Sequence, residues 1–341
     1  MTLAPKEIAG RDLTPERFQR EIVEPCQPVV IRGLVAEWPV VQAARASPAR
    51  LKDYLAAFDA GVRVEAYLGT PAIAGKYYYA PDFKGFNFER RMMKLLEAMQ
   101  IMVESLDRAE APSIYVGSVP TGEGLPGFAA ANAMPLLGQG VSPRIWLGTR
   151  SNVSCHHDTF DNLACVIAGR RRFTLFAPEL IGKLYVGPID NTMAGAPVSL
   201  AASADAEEGR GEGRYPLFEQ IRQQALRAEL EVGDALYLPK LWWHKVESLA
   251  PLNGLINYWW DAFSAGPDAP YTSMLLAMIA IAERPPAERQ AWKAFFDHYV
   301  FRTQGHPLAH LPSEQHGLLG PLKPENYARI RARVMHMLRG V

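Results

Sequence analysis

The sequence predicts a mainly β fold, a barrel or sandwich with flanking helices and a helical C-terminal region, on three observations. From Arg144 onward, short segments rich in β-branched and aromatic residues follow one another with turn residues between them: RIWLG, NVSCHHD, NLACVIAG, RRRFTLFAP, ALYLP, WWHKVES and GLINYWW. Strands in such succession pair with one another and close into a barrel or sandwich. Before Arg144 the pattern is mixed α and β, and after Ala265 it is helical, so the chain divides into residues 1–265 and a helical region over 266–341 that is a candidate for dimerisation.

Each element has its local reason. Thr14-Pro15 is a hydroxyl cap followed by proline in the first helical position, and the helix it opens stops before Pro25. PVVIRGL at 28–34, VRVEAYL at 62–68 and SIYVGS at 113–118 read as strands. A helix is expected over Pro48 to Phe58 and another through Phe88 to Leu106, where apolar residues recur at helical spacing. GAPVSLAASADAEEGRGEGRYP, from Gly195 to Pro216, reads as a surface excursion, followed by a short helix over LFEQIRQQALRA. In the C-terminal region Pro285-Pro286 separates two helices, and Pro324 opens a last one with Tyr327, Ile330, Val334 and Leu338 on one face.

Composition narrows the function classes. The 341 residues carry 36 Lys plus Arg against 36 Asp plus Glu, so no global field recruits nucleic acid or an anionic membrane. The longest apolar run, SMLLAMIAIA at 273–282, is too short to span a bilayer, and the N-terminus lacks the pattern of a secretory signal. Three cysteines, Cys26, Cys155 and Cys165, form no disulfide framework, which fits a reducing, cytoplasmic compartment. Cys155 and Cys165 read as small buried apolar residues, and the pairs Trp242-Trp243 and Trp259-Trp260 as core packing.

Chemistry concentrates in SCHHDTFDN at 154–162. Residues two apart in a strand share a face, so His156 and Asp158 project together while His157 points the other way. A second imidazole from elsewhere would complete the two-histidine, one-carboxylate set that holds ferrous iron with coordination positions left open. Of the remaining histidines, His244 in LWWHKVES alone lies in the β-rich region and is the candidate third ligand.

With these residues goes a wider pattern: HHDTFDN at 156–162, LACVIAG, RRRFTLFAP, GDALYLPKLWWH at 233–244 and NYW at 257–259, preceded by FQREIVEPCQPVVIRGLVAEWP. Together, over roughly Phe18 to Trp260, they resemble the Jumonji C or cupin-like iron(II)- and 2-oxoglutarate-dependent oxygenases, in particular the branch containing the asparaginyl hydroxylase that inhibits hypoxia-inducible factor. The resemblance implies a double-stranded β-helix (jelly-roll) core, iron held by His156, Asp158 and His244, and 2-oxoglutarate as cosubstrate. It implies that Asn162 and Asn257 line the cosubstrate pocket, and that Tyr115 and a cation hold the distal carboxylate. The family lysine aligns with Arg171 in GRRRF, a departure that leaves Arg170, Arg171 and Arg172 as candidates. Arginine can hold a carboxylate through two parallel hydrogen bonds, and strand alternation sets Arg171 on the face opposite its neighbours. A family threonine or serine has Val153 in its place here, and Ser154 substitutes only if the strand is bulged. The implied activity is hydroxylation of a protein, peptide or small-molecule substrate, with Jumonji-type demethylation or a non-oxygenase metal cupin as alternatives, and a homodimer built on the C-terminal helices.

Overall fold

Strand pairing begins near the N-terminus and takes in twelve strands: β1 (Lys6–Ala9), β2 (Val29–Arg32), β3 (Arg63–Gly69), β4 (Lys76–Tyr77), β5 (Glu89–Lys94), β6 (Ser113–Pro120), β7 (Pro143–His156), β8 (Asp161–Ala168), β9 (Arg171–Phe176), β10 (Leu226–Leu230), β11 (Ala235–Leu238) and β12 (Trp243–Trp260). The computed structural model describes residues 3–81, 84–106, 108, 111–190, 192, 195–203, 213–263 and 268–340. They divide into two units, Met1–Ala262 and Phe263–Val341.

In the first unit the strand order is β1-β2-β11-β8-β12-β7-β6-β3-β5, with β10-β9 joined to β12 and β4 to β7. Two long strands make the layers. The second half of β12 pairs with the first half of β7 and with β8, whereas its first half, His244–Ser248, pairs with His156–Ser151 and with β9. A register shift between Ser248 and Leu252 marks the corner where β12 passes from one layer to the other. Two layers joined through the two bent strands make a jelly-roll core, as the resemblance implies. What the sequence presents as separate segments, RIWLG with NVSCHHD and WWHKVES with GLINYWW, are single bent strands, because the interruptions are corners and not loops.

Alternation does the local work. In β9, Arg171, Phe173 and Leu175 are buried and Arg172 and Thr174 are not, whereas β8 is buried along its whole length between two neighbours. The β8–β9 turn needs Gly169: its φ is +71°, and a Cβ there would lie 2.4 Å from Asn253 Oδ1. One large core gathers the helices of the N-terminal half against the sheet, with Leu51, Leu55, Met99, Met102 and Ile256 fully enclosed.

Two expected helices are shorter than their patterns. Residues 89–94 form edge strand β5 on β3, and the helix starts only at Leu95 and ends at Glu104. Glu89, Arg90 and Arg91 suit an exposed edge, and pairing with β3 overrides the local helical spacing. Likewise the helix expected over 217–228 is confined to Pro216–Glu219 and a 3-10 turn at Arg222–Gln224, since Leu226–Leu230 pairs with β9 as β10. The excursion after Gly195 is not wholly superficial: Val198, Ser199, Ala201 and Ser203 are buried, while residues 204–212 lie outside the described residues.

The second unit consists of helices Pro270–Ile281, Pro286–Tyr299 and Pro324–Leu338. Each has proline in its first turn, which presets φ and omits an N–H that would have no partner. Among its described residues no hydrophobic side chain is buried, and Val334 and Leu338 of the expected last-helix face are exposed.

Candidate metal centre

His156 ends β7, and antiparallel register sets His244 of β12 directly opposite it. The imidazole centroids are 4.3 Å apart, and His244 Nε2 lies 3.8 Å from Asp158 Oδ2. One potential ligand atom from each of the three residues falls within 4.8 Å of the others, the one such cluster among the described residues. Both rings are oriented by main chain: His156 Nδ1 is 2.8 Å from Ser154 O, and His244 Nδ1 is 2.9 Å from Trp242 O. Each Nδ1 therefore donates, which leaves each Nε2 lone pair facing the cluster. Burial, and then the neighbouring His156, lower the pKa of His244 against the pull of Asp158, so that imidazole stays neutral and competent to ligate. Asp158 lies past the end of β7, and its carbonyl accepts a hydrogen bond from Leu241 N–H at 2.8 Å. Leu241 adopts φ +68°, a strained turn position that carries the chain from β11 into β12.

His157 points away. Its ring packs edge-on against Trp243 at 4.7 Å, it is buried, and burial lowers its pKa. The alternation read from the sequence thus separates the adjacent histidines into one that faces the cluster and one that packs.

The triad opens into a cavity of about 380 Å³ lined also by Tyr67, Tyr77, Phe88, Tyr115, Trp146, Asn162, Arg171, Asn257 and Trp259. Arg171 is only 2% exposed, and its Nε and Nη2 have no hydrogen-bond partner among the described residues. Its neighbours differ. Arg172 pairs with Glu229 at 2.7 Å, and Arg170 lies at 3.9–4.0 Å from Glu231 and Glu229, both at the surface. Burial lowers the Arg171 pKa, opposed by the Tyr115 hydroxyl, and burial raises that of Tyr115, opposed by Arg171. Asn257 joins the walls: it accepts from Trp146 Nε1 at 2.6 Å and donates to Asn162 Oδ1 at 3.2 Å.

The strand carrying the triad pair is bulged, with His156 opposite His244 but Val153 opposite Val246. Ser154 and Val153 both line the cavity as a result, and Ser154 Oγ donates to Tyr77 O at 2.9 Å. Of the four tryptophans read as packing, Trp242 and Trp243 are buried and Trp260 is partly buried against the core, whereas Trp259 faces the cavity. Cys155 and Cys165 are buried, and burial raises both thiols. The sequence reading did not single out Tyr67, Tyr77 and Phe88, which form the aromatic wall, with Tyr67 stacked on Phe88 at 4.8 Å. Alternation in VRVEAYL groups Tyr67 with Glu65, both of which line the cavity, but Phe88 lies in the stretch read as helix.

The donor set suits a metal ion: two Nε2 lone pairs, on imidazoles each steadied by a backbone carbonyl, and a carboxylate. The unpartnered guanidinium suits an anion, because burying two charged N–H donors without acceptors is costly.

The cupin-like domain family matches residues 15–266. The chain is 26% identical over 276 residues to human bifunctional peptidase and (3S)-lysyl hydroxylase JMJD7, covering 73% of this chain and 81% of that one. It is 27% identical over 266 residues to lysine-specific demethylase JMJ30 of Arabidopsis thaliana, 76% of this chain and 56% of the relative. It is 35% identical over 123 residues to Jumonji C domain-containing protein 5 of Drosophila melanogaster, 36% of this chain. The match spans only 28% of that fly protein. With its jelly-roll core and its His156, Asp158 and His244 cluster, this chain belongs to the cupin-like domain family.

Proposed function

We propose that this protein is an iron(II)- and 2-oxoglutarate-dependent oxygenase that hydroxylates a protein side chain, a peptide or a small molecule. The observation that carries this reading is Arg171, a buried guanidinium with unpartnered donors lining the same cavity as the His156, Asp158 and His244 cluster. A cupin that needs a metal alone has no use for that cation.

In this reading His156, Asp158 and His244 would hold iron, and 2-oxoglutarate would bind in the cavity beside it. When bound, the pair supplies oxidative decarboxylation to succinate and carbon dioxide, coupled to delivery of one oxygen atom to a substrate C–H bond. The chain's own residues do the rest. Arg171 offers two N–H donors to the distal carboxylate and the Tyr115 hydroxyl a third, while burial keeps that hydroxyl protonated and able to donate. Asn162 and Asn257, already bonded to each other, shape the wall beside it, and the aromatic side chains exclude water from the reacting space. The relatives named lysyl hydroxylase and lysine-specific demethylase support a protein substrate. The test is incubation of pure protein with iron(II) and labelled 2-oxoglutarate. Labelled succinate formed in air supports the reading, and its absence after iron(II) has been loaded anaerobically and oxygen then admitted overturns it. Product mass then separates gain of one oxygen from loss of a methyl group with formaldehyde.

The exposed apolar surface of the second unit supports a homodimer. Pro270–Ile281 carries no charged residue and none of its side chains is buried, so it needs apolar neighbours around its circumference. Exposed Trp292, Phe295, Met335 and Met337 of the other two helices, supplied by a second copy, offer such neighbours in a self-complementary way. Three free cysteines support a reducing, cytoplasmic location, and no described helix is long and apolar enough to cross a membrane.

A further inference from the structure

The two histidines of the cluster are held by backbone of different quality. His244 has ladders on both edges, with β7 through His156 and with β9 through Leu175. His156 has β12 on one edge only. On its other edge the parallel partner β4 stops at the Tyr77 and Val153 pair, three residues short.

Residues 198–203 take the missing partner's place. Val198 forms an isolated bridge with His156, Ser199 N–H donates to Cys155 O at 2.7 Å, and Cys155 N–H donates to Ser203 Oγ at 3.0 Å. The last bond grips a particular peptide group. Cys155 N–H and Ser154 C=O belong to one planar unit, and Ser154 O is the acceptor for His156 Nδ1–H at 2.8 Å. Anchoring the N–H of a rigid plane fixes the direction of its carbonyl, and the carbonyl fixes the imidazole. Without that anchor the plane, which sits in the β7 bulge, has no regular ladder to hold it.

The anchor is itself well seated. Ser199 Oγ donates to Leu184 O and accepts from Ala202 N–H at 3.0 Å, and Ser203 N–H donates to Ser199 O at 3.2 Å. Ser199 thereby caps the turn that presents Ser203, and the two are 0% and 2% exposed. The same segment contributes Ala196 and Val198 to the cavity wall.

We propose that Ser203 is a positioning residue for metal ligand His156, acting through the Ser154–Cys155 peptide, with Ser199 as its support. The segment after Gly195 is on this account part of the metal site. The inference rests on the metal-site reading above and adds to it a residue that touches neither metal nor substrate.

Cobalt(II) serves as the probe, because its visible absorption reports ligand geometry and its titration against the full chain gives an affinity without turnover. Ser203→Ala is expected to weaken cobalt(II) binding by about tenfold and to alter the visible bands of the loaded protein. Ser203→Thr, which keeps the hydroxyl, restores both. Ser199→Ala moves the affinity in the same direction by a smaller factor and supplies the answer should Ser203→Ala fail to fold. Ser105→Ala removes another buried hydroxyl, one that donates to Ile101 O at 2.6 Å far from the cluster along the chain, and is expected to lower the melting temperature without changing cobalt(II) affinity. Wild-type affinity and spectrum in the folded Ser203→Ala or Ser199→Ala protein overturn the positioning role. His156→Ala separates the two readings: if it too binds cobalt(II) with wild-type affinity and spectrum, the metal-site reading itself fails.

Discussion

The two units treat apolar residues in opposite ways. In Met1–Ala262 the strands and N-terminal helices enclose several hydrophobic clusters, with residues such as Val23, Val30, Leu163 and Ile256 fully removed from solvent. In Phe263–Val341, Ile279, Phe301 and Met337 are 78%, 65% and 68% exposed, and no described hydrophobic side chain is buried. Burying apolar area is the main favourable contribution to folding, so a unit whose large apolar side chains are at most partly buried within one chain gains less from its own packing. The contrast fits the division of labour proposed above: the first unit encloses its own core and holds the candidate metal centre, whereas the second leaves the apolar surface on which the proposed dimer rests.

The largest effects expected lie in the first unit. Replacing His156, Asp158 or His244 by alanine should abolish succinate formation from 2-oxoglutarate while circular dichroism remains that of the wild type. Unchanged turnover in the His244→Ala protein would remove the assignment and, with it, the claim that the first unit is the catalytic one. Next in size is Arg171→Ala. Loss of a charge-assisted contact in a closed cavity should raise the Michaelis constant for 2-oxoglutarate about a hundredfold. Arg170→Ala and Arg172→Ala, whose side chains meet Glu229 at the surface, should leave it near wild type. Equal effects at all three positions would refute the role given to burial.

The second unit is expected to answer to a different measurement. Ile279→Glu combined with Met337→Glu should convert a species of twice the 37.8 kDa chain mass into a monomer by light scattering, with turnover changed by less than about twofold. A wild-type protein that is already monomeric at micromolar concentration removes the dimer, and a large loss of turnover in the variant breaks the division of labour. The smallest effect on activity belongs to His157→Ala. The ring packs against Trp243 on the far side of β7, so the variant should keep metal affinity and turnover while losing about 1–2 kcal/mol of stability in chemical denaturation. Loss of metal by that variant would show that the two faces of SCHHDTFDN are not separated.

Much of this was legible in the chain before its fold. The two-apart spacing of His156 and Asp158 predicts a shared side, which the structure keeps although Asp158 lies past the end of β7, and RRRF specifies that Arg171 faces away from Arg172, because successive side chains of a strand point to opposite sides whatever the strand packs against. A barrel or sandwich follows from the succession of short apolar segments and turn residues, whereas the joining of those segments into the long bent strands β7 and β12 does not. Periodicity stops there. It says on which side a residue lies and not what waits on that side. Glu229, which engages Arg170 and Arg172, comes from β10, a strand whose first residues the local pattern presents as helix until β9 pairs with them, and Glu231, near Arg170, follows directly after it. Pairing with β3 likewise made a strand of residues 89–94, and the layers packed on β12 put the cavity on the side of Trp259 and the core on the side of its neighbour Trp260. Ser203 is the extreme case, since nothing in LAASADAEE signals a contact with Cys155. What a single chain segment determines by itself is direction, set by backbone geometry. Which partner completes a ligand set, leaves an arginine unpaired or anchors a peptide plane is decided by segments distant in sequence, and only the tertiary structure brings those together.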